Sequence, residues 1–170
     1  IRDLLKASGT AALLVTHDQH EAFVMADLVG VLAEGRLQQW APAYALYHEP
    51  VNRLVADFVG EGVFLPGELV SERCVRLPLG EVCRLHGLSA PPGTAVAVLV
   101  RPDAILHDAA SPTTARVLAK AFRGADFLYT LELPCGSRVL SLVPSHHDHR
   151  LGEAIGIRLE LDHVIAFPRL

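Results

Sequence analysis

Leu13-Leu14-Val15-Thr16-His17-Asp18-Gln19-His20-Glu21-Ala22 is the stretch on which the reading of the first third of the chain turns. Three apolar residues and the β-branched Thr16 run into a His-Asp pair, so residues 13–16 read as a buried strand. Asp18 stands three residues before Glu21, the spacing of a helix N-cap and its capping-box partner in an Asp variant. His17 therefore falls at the carboxyl end of a strand, one step before a helix N-terminus. Ligands of open α/β sheets bind at that end, and helix N-termini attract anions. An imidazole placed there can hydrogen-bond a phosphate oxygen. The default for a lone strand-end histidine is a buried ring satisfied by backbone groups, so the surroundings of His17 have to decide.

Those surroundings continue through Ala26-Asp27, Gly35-Arg36 after a second apolar run, and Pro50-Val51-Asn52-Arg53-Leu54-Val55-Ala56-Asp57-Phe58-Val59-Gly60. With Leu14-Val15-Thr16-His17-Asp18-Gln19 and Glu21-Ala22, this resembles the switch-histidine region of ABC-transporter ATPases, in the form found in the ATP-binding subunits of importers. His20 departs from the pattern, which carries an acidic residue there. It leaves His17 untouched.

Composition bounds the rest. The 170 residues suffice for one domain or two small ones, and a 51% apolar, 20% charged chain is globular. The net charge is −4 with no basic block, which argues against phosphate-backbone binding as the main role. The longest apolar runs, such as residues 95–100, are far too short to cross a bilayer. No signal peptide opens the chain, and Ile1 is not a natural start residue, so the chain is expected to be part of a longer one. Cys74, Cys83 and Cys135 form no CxxC and are odd in number, so they are expected to be reduced thiols of a cytosolic protein.

Along the chain, Ile1, Leu4, Leu5 and Ser8 fall at helical spacing and Gly9 can close that helix. Residues 28–32 read as a second strand of a parallel sheet, which Glu34-Gly35 turns back into residues 36–40 as a hairpin. Pro42 can open a short helix with Tyr44, Leu46 and Tyr47. After Pro50, Val51, Leu54, Val55, Phe58 and Val59 form one apolar helical stripe, expected to face the core. Beyond Gly62 the chain becomes short alternating runs between Gly and Pro, the mark of an all-β unit.

The β region carries a weak internal repeat. Leu77-Pro78-Leu79-Gly80 matches Leu133-Pro134-Cys135-Gly136, and Gly93-Thr94-Ala95-Val96-Ala97-Val98 matches Gly152-Glu153-Ala154-Ile155-Gly156-Ile157. Asp103-Ala104-Ile105-Leu106 pairs with Asp162-His163-Val164-Ile165. The offset grows from 136 − 80 = 56 to 152 − 93 = 59, so the second copy is three residues longer, around residues 145–149. Duplicated strand sets imply small barrels that share strands.

Residues 63–170 resemble the OB-like TOBE regulatory domain that follows the ATPase domain in many such importers, through Val100-Arg101-Pro102-Asp103 and Phe167-Pro168. Residues 122–131 and Pro144-Ser145-His146-His147-Asp148-His149 look most like ferric-ion importers. The expected fold is therefore an α/β piece, the end of a P-loop ATPase domain at residues 1–62, followed by an all-β OB-like TOBE barrel at residues 63–170.

The chain holds no GxxxxGK[ST] loop, no Leu-Ser-Gly-Gly-Gln-like signature and no apolar run ending in Asp-Glu. Phosphoryl transfer needs phosphates, metal and water placed together, so this piece alone is expected to be inactive. No residue is assigned to cofactor binding or to a metal. The resemblance implies that ATP and Mg²⁺ belong to the parent subunit, where His17 contacts the γ-phosphate. It implies a second copy of the subunit and membrane permease subunits as partners, on the cytoplasmic face of a bacterial membrane. It implies import coupled to hydrolysis, with ferric iron as cargo and polyamine, sugar or another anion as alternatives.

His146-His147-Asp148-His149 has metal-binding residue types, but four neighbours in a loop cannot all face one ion, and a solvated loop is the plainer reading. Another class of function, a barrel that senses a small oxyanion or metal, stays open. Binding of single-stranded nucleic acid needs a basic groove with stacking aromatics. The 6% aromatic content and acidic charge disfavour it, so no nucleic-acid partner is expected.

Overall fold

A computed structural model of the chain describes residues 1–86 and 88–169; Gly87 and Leu170, both within the predicted β region, lie outside the described residues. The chain divides into two units, Ile1–Val59 and Gly60–Leu170.

The first unit is a small α/β piece: α1 (Arg2–Ser8), α2 (Gln19–Met25), β1 (Val29–Ala33), β2 (Arg36–Ala41), α3 (Ala43–His48) and α4 (Arg53–Val59). α1 ends where Gly9 takes a left-handed φ of 63°, and Lys6 and Arg2 reach the Asp27 carboxylate. Strands β1 and β2 form an antiparallel hairpin in which Ala33 pairs with Arg36. Its two-residue turn puts Glu34 and Gly35 at φ 50° and 70°, the twist that suits a tight hairpin. The parallel sheet read for residues 28–32 is corrected here: the only ladder that strand makes among the described residues is this antiparallel one.

Buried Val31, Leu46, Val55 and Val59 form the core of this unit, with Phe23, Val29 and Tyr47 against it. The apolar stripe of α4 splits. Val55 and Val59 are buried, whereas Val51, in the turn before α4, Leu54 and Phe58 are 58%, 41% and 54% exposed, so three of the five stripe residues face away from that core. Asn52 caps α4 by accepting from the Val55 amide at 2.9 Å, while its own amide donates to Gln38 on β2.

The second unit is all-β and OB-like. Its strands are β3 (Val63–Leu69), β4 (Cys74–Leu77), β5 (Gly80–Cys83), β6 (Leu85–His86), β7 (Ala95–Val100), β8 (Ile105–His107), β9 (Thr114–Phe122), β10 (Asp126–Glu132), β11 (Arg138–Pro144), β12 (Ala154–Leu159) and β13 (Val164–Pro168). They form two sheets, ordered β5-β4-β3-β7-β13-β6 and β11-β10-β9-β12-β8. The two orders repeat the same plan. Each sheet runs through four strands of one copy of the internal repeat and then the last strand of the other copy, and the first sheet adds β6 beyond it. Thus β8 leaves its own copy to pair with β12, Ile157 opposite His107, and β13 leaves its copy to pair with β7, Ala166 opposite Val98.

Period-2 alternation dictates the core. Tyr129 and Leu131 on β10, Val139 and Val143 on β11, and Ile155 and Ile157 on β12 all point inward and are buried. One cluster runs through both sheets, joining these to Leu65, Val75 and Val98. In the second sheet β8 comes round beside β11, where the buried Ser141 hydroxyl donates to the Ile105 carbonyl at 2.5 Å, so the barrel is nearly closed. Arg101, 7% exposed, donates to the carbonyls of Gly60 (2.6 Å) and Glu61 (3.2 Å) and ties down the entry to β3.

Cys74 and Cys83 are joined by a disulfide, which corrects the expectation of reduced thiols for these two, while Cys135 is a free, exposed cysteine. The turn at Pro78-Leu79 sets the two residues directly opposite each other on β4 and β5, a pairing that sequence spacing does not display.

At Gly156 an added Cβ would lie 2.2 Å from the backbone oxygen of Asp108, so only glycine lets β12 pass the end of β8. Gly156→Ala is expected to destabilise the chain by about 1–3 kcal/mol in chemical denaturation, as overpacking against fixed backbone does. An unchanged midpoint would contradict this register.

Candidate functional site

Residues 10–16 carry no regular structure, and Leu13 and Val15 are 84% and 87% exposed. The strand read for residues 13–16 is thus corrected. A strand is held by neighbours, and among the described residues none pairs with this segment.

The helix that follows is built as its residues require. The Asp18 carboxylate accepts from the amides of His20 (2.8 Å) and Glu21 (3.1 Å). The Glu21 amide, then that of His20, hold the Asp18 carboxyl below its ordinary value of 3.8. The Asp18 amide donates to Thr16 Oγ1 at 3.0 Å, so Thr16 fills the place a reciprocal Glu21 side chain has in a full capping box. Gln19, oriented so that its amide N–H groups donate, reaches the carbonyls of Val59 (2.6 Å) and Phe58 (3.1 Å) and fixes the start of α2 on the end of α4. His17 stands exposed in the turn before this cap. Asp18 already occupies the leading amides of α2, so any anion arriving here is met by the imidazole itself.

A second group of polar and titratable side chains comes together on the barrel. Tyr129 is fully buried, and its hydroxyl donates to the His147 carbonyl and accepts from the His149 amide, both at 3.0 Å. The phenol therefore pins the loop that carries the extra three residues of the second repeat. Asp148 turns away to an ion pair with Lys120, whose ammonium also donates to the His149 carbonyl at 2.9 Å. The rings of His147 and His149 turn toward His107 on β8, with ring centres 4.9 Å from it in both cases. Burial, then the neighbouring His149 and His147, hold the His107 imidazole below its ordinary 6.5. His107 was invisible to the sequence reading because β8 belongs to the other copy of the repeat, some forty residues upstream.

An open groove of about 380 Å³ lies elsewhere on the barrel, lined by Thr114, Arg116, Glu132, Leu133 and Pro134 among others, with Arg116 and Glu132 ion-paired.

Residues 98–167 match the family model of the TOBE domain. Beyond that segment, nearly the whole chain is similar to import ATP-binding proteins. Its relatives include the spermidine/putrescine import ATP-binding protein PotA of Bacteroides thetaiotaomicron, 31% identical over 92% of this chain and 34% of that protein. PotA 1 of Pseudomonas aeruginosa is 33% identical over 95% of this chain and 48% of its own length. PotA of Rubrobacter xylanophilus is 32% identical over 97% and 47%. The chain thus spans between a third and a half of these relatives. Among solved structures, the cytoplasmic molybdate-binding protein ModG, with molybdate bound, superposes with a TM-score of 0.51 at 14% identity. It covers 62% of this chain and 95% of that one, a likeness of fold.

The Asp18 cap makes the order of the His17 turn pH-dependent. A carboxyl whose folded pKa is depressed contributes fully above 3.8, and that contribution is lost as pH falls through the lower folded value. Amide exchange at His20 and Glu21 is therefore expected to speed up, relative to free peptide, only below pH 3.8 in the native chain. In Asp18→Ala it should be fast at every pH. Protection that persists in Asp18→Ala would show that another group caps α2.

Proposed function

We propose that this chain is the C-terminal portion of the ATP-binding subunit of an ABC-type importer. Its first 62 residues would end the nucleotide-binding domain, and the barrel would act as the regulatory domain. The observation that carries the reading is 31–33% identity to import ATP-binding proteins over 92–97% of the chain, across both units. The proposed cargo is a polyamine. All three relatives are named for spermidine/putrescine import, whereas ferric iron, the first expectation, finds no support among them.

In this reading His17 contacts the γ-phosphate of ATP. The exposed ring, the turn fixed by Asp18 and Thr16, and the anchoring of Gln19 on α4 support that role. ATP and Mg²⁺ would be held by parts of the subunit outside this chain, together supplying phosphoryl transfer. His17 would position and sense the terminal phosphate, linking hydrolysis to closure against a second copy. Membrane permease subunits complete the assembly on the cytoplasmic face of the membrane. No described helix is long and apolar enough to cross a bilayer.

A small-oxyanion sensor is the second reading, favoured by the fold likeness to a molybdate-binding protein. The groove offers it little, because the Arg116 guanidinium already meets Glu132 there.

The test uses the complete subunit reconstituted with its permease. Spermidine or putrescine uptake driven by ATP is expected, with none of ferric iron. His17→Ala should lower uptake by about 10²–10³, the cost of removing one positioned donor, with nucleotide binding retained. Uptake within about threefold of the native subunit would contradict the role of His17, and ATP-driven ferric uptake would contradict the cargo.

A further inference from the structure

We propose that His107, His147 and His149 form a binding site for one divalent, imidazole-preferring metal ion, Zn²⁺ above all.

The three rings offer nitrogens that all lie within 4.8 Å of one another. A point therefore exists within about 2.8 Å of all three, against roughly 2.0–2.1 Å for a zinc–imidazole bond, so sub-ångström ring movements complete the site. The three residues are half-buried, in contrast to the exposed His146 and Asp148 beside them.

His149 is prepared as a ligand. Its Nδ1 lies 2.9 Å from Glu153 Oε1. The other oxygen of that carboxylate accepts from the Arg150 amide at 2.8 Å, which fixes Glu153 as the acceptor facing Nδ1, and Nδ1 carries the proton. That tautomer leaves a lone pair on Nε2, and Nε2 is buried with no hydrogen-bond partner among the described residues. An unpartnered buried acceptor is costly, and a metal ion satisfies it. A carboxylate that orients a ligating histidine from behind is the usual outer support of a zinc site. The backbone of His149 is fixed as well, its amide on Tyr129 and its carbonyl on Lys120. The ring is thus held at Nδ1 and its backbone at both the amide and the carbonyl, with Nε2 left over.

The donor set selects the ion. Three neutral imidazoles with no carboxylate or thiolate suit Zn²⁺, Ni²⁺ or Cu²⁺ and reject Mg²⁺ and Ca²⁺. Three protein ligands leave a fourth position for water or an exogenous ligand. The other histidine-rich neighbour, His146, packs on His147 with ring centres 4.2 Å apart and contributes no nitrogen to the trio. The site also lies across the repeat: His107 comes from the exchanged strand β8, and His147 and His149 from the extra residues of the second copy. Its counterpart in the other half would centre on Ala166, which has no ligating atom, so a single ion per chain is expected. A bound ion would tie the exchanged strand to the loop and raise the unfolding temperature.

The experiment titrates ZnCl₂ into the metal-stripped chain, followed by calorimetry and by the ring resonances of its nine histidines. One equivalent should bind with micromolar or tighter affinity, shifting His107, His147 and His149 while His17 and His163 stay still. Glu153→Gln should weaken binding by about 10-fold or more, as loss of an outer-shell carboxylate does, and His146→Ala should leave it unchanged. His149→Ala should abolish it. If that variant fails to fold, the histidine resonances of the native chain decide alone. Absence of saturable binding overturns the proposal, as does zinc that shifts other histidines or thiols freed at Cys74 and Cys83.

Discussion

The barrel is organised around a buried phenol. Tyr129 sits with no exposure in the centre of β10, where its ring belongs to the core and its hydroxyl cannot be left unsatisfied. Both of its hydrogen bonds go to one loop, to the His147 carbonyl and from the His149 amide. A requirement of the core thereby becomes a constraint on a surface segment. Histidines whose positions sequence alone leaves undefined are held at fixed distances from β8 because the nearest partners for a buried hydroxyl are their own backbone groups.

The second constraint is the exchange of strands between the two halves of the repeat. Each half contributes a three-strand meander and a following strand to one sheet, then sends its last strand to the other sheet. Neither half can complete its sheet alone, and the apolar cluster runs through both without a break. Such pairing is long-range in sequence, so its ordering entropy is met only when both halves assemble. Gly156 and Ser141 mark how close the fit is: one permits β12 to graze Asp108, and the other bridges β11 to β8.

Much of this was legible in the residues. Strict alternation showed which side chains of β10 and β12 face inward, Glu34-Gly35 announced a hairpin, and Asp18 announced a helix cap. The repeat, with its offset growing by three, pointed both to shared strands and to the loop where the second copy differs. What escaped the reading depends on pairing. Residues 13–16 have the composition of a buried strand, but no described strand lies beside them, and exposure follows. Val51, Leu54 and Phe58 share a stripe with Val55 and Val59, yet the small core of that unit reaches only the latter two. Cys74 meets Cys83, and His107 meets His147 and His149, because of register and strand exchange. Neither leaves a trace in local spacing. The His17 turn was read correctly in its Asp18 cap, and incorrectly in the Glu21 partner, whose place Thr16 takes, and in the strand that was to precede it.

The central claim is that the two halves of the repeat make one cooperative barrel through exchanged strands, while the segment before His17 stands outside the sheets formed by the described residues. Amide hydrogen exchange on the intact chain tests it most directly. The account predicts that amides in β7, β9, β10 and β12 share one highest level of protection with the paired amides of β8 and β13, and that residues 10–16 exchange as free peptide. Opening of β8 or β13 ahead of the strands they join, or strong protection at residues 13–16, would contradict it.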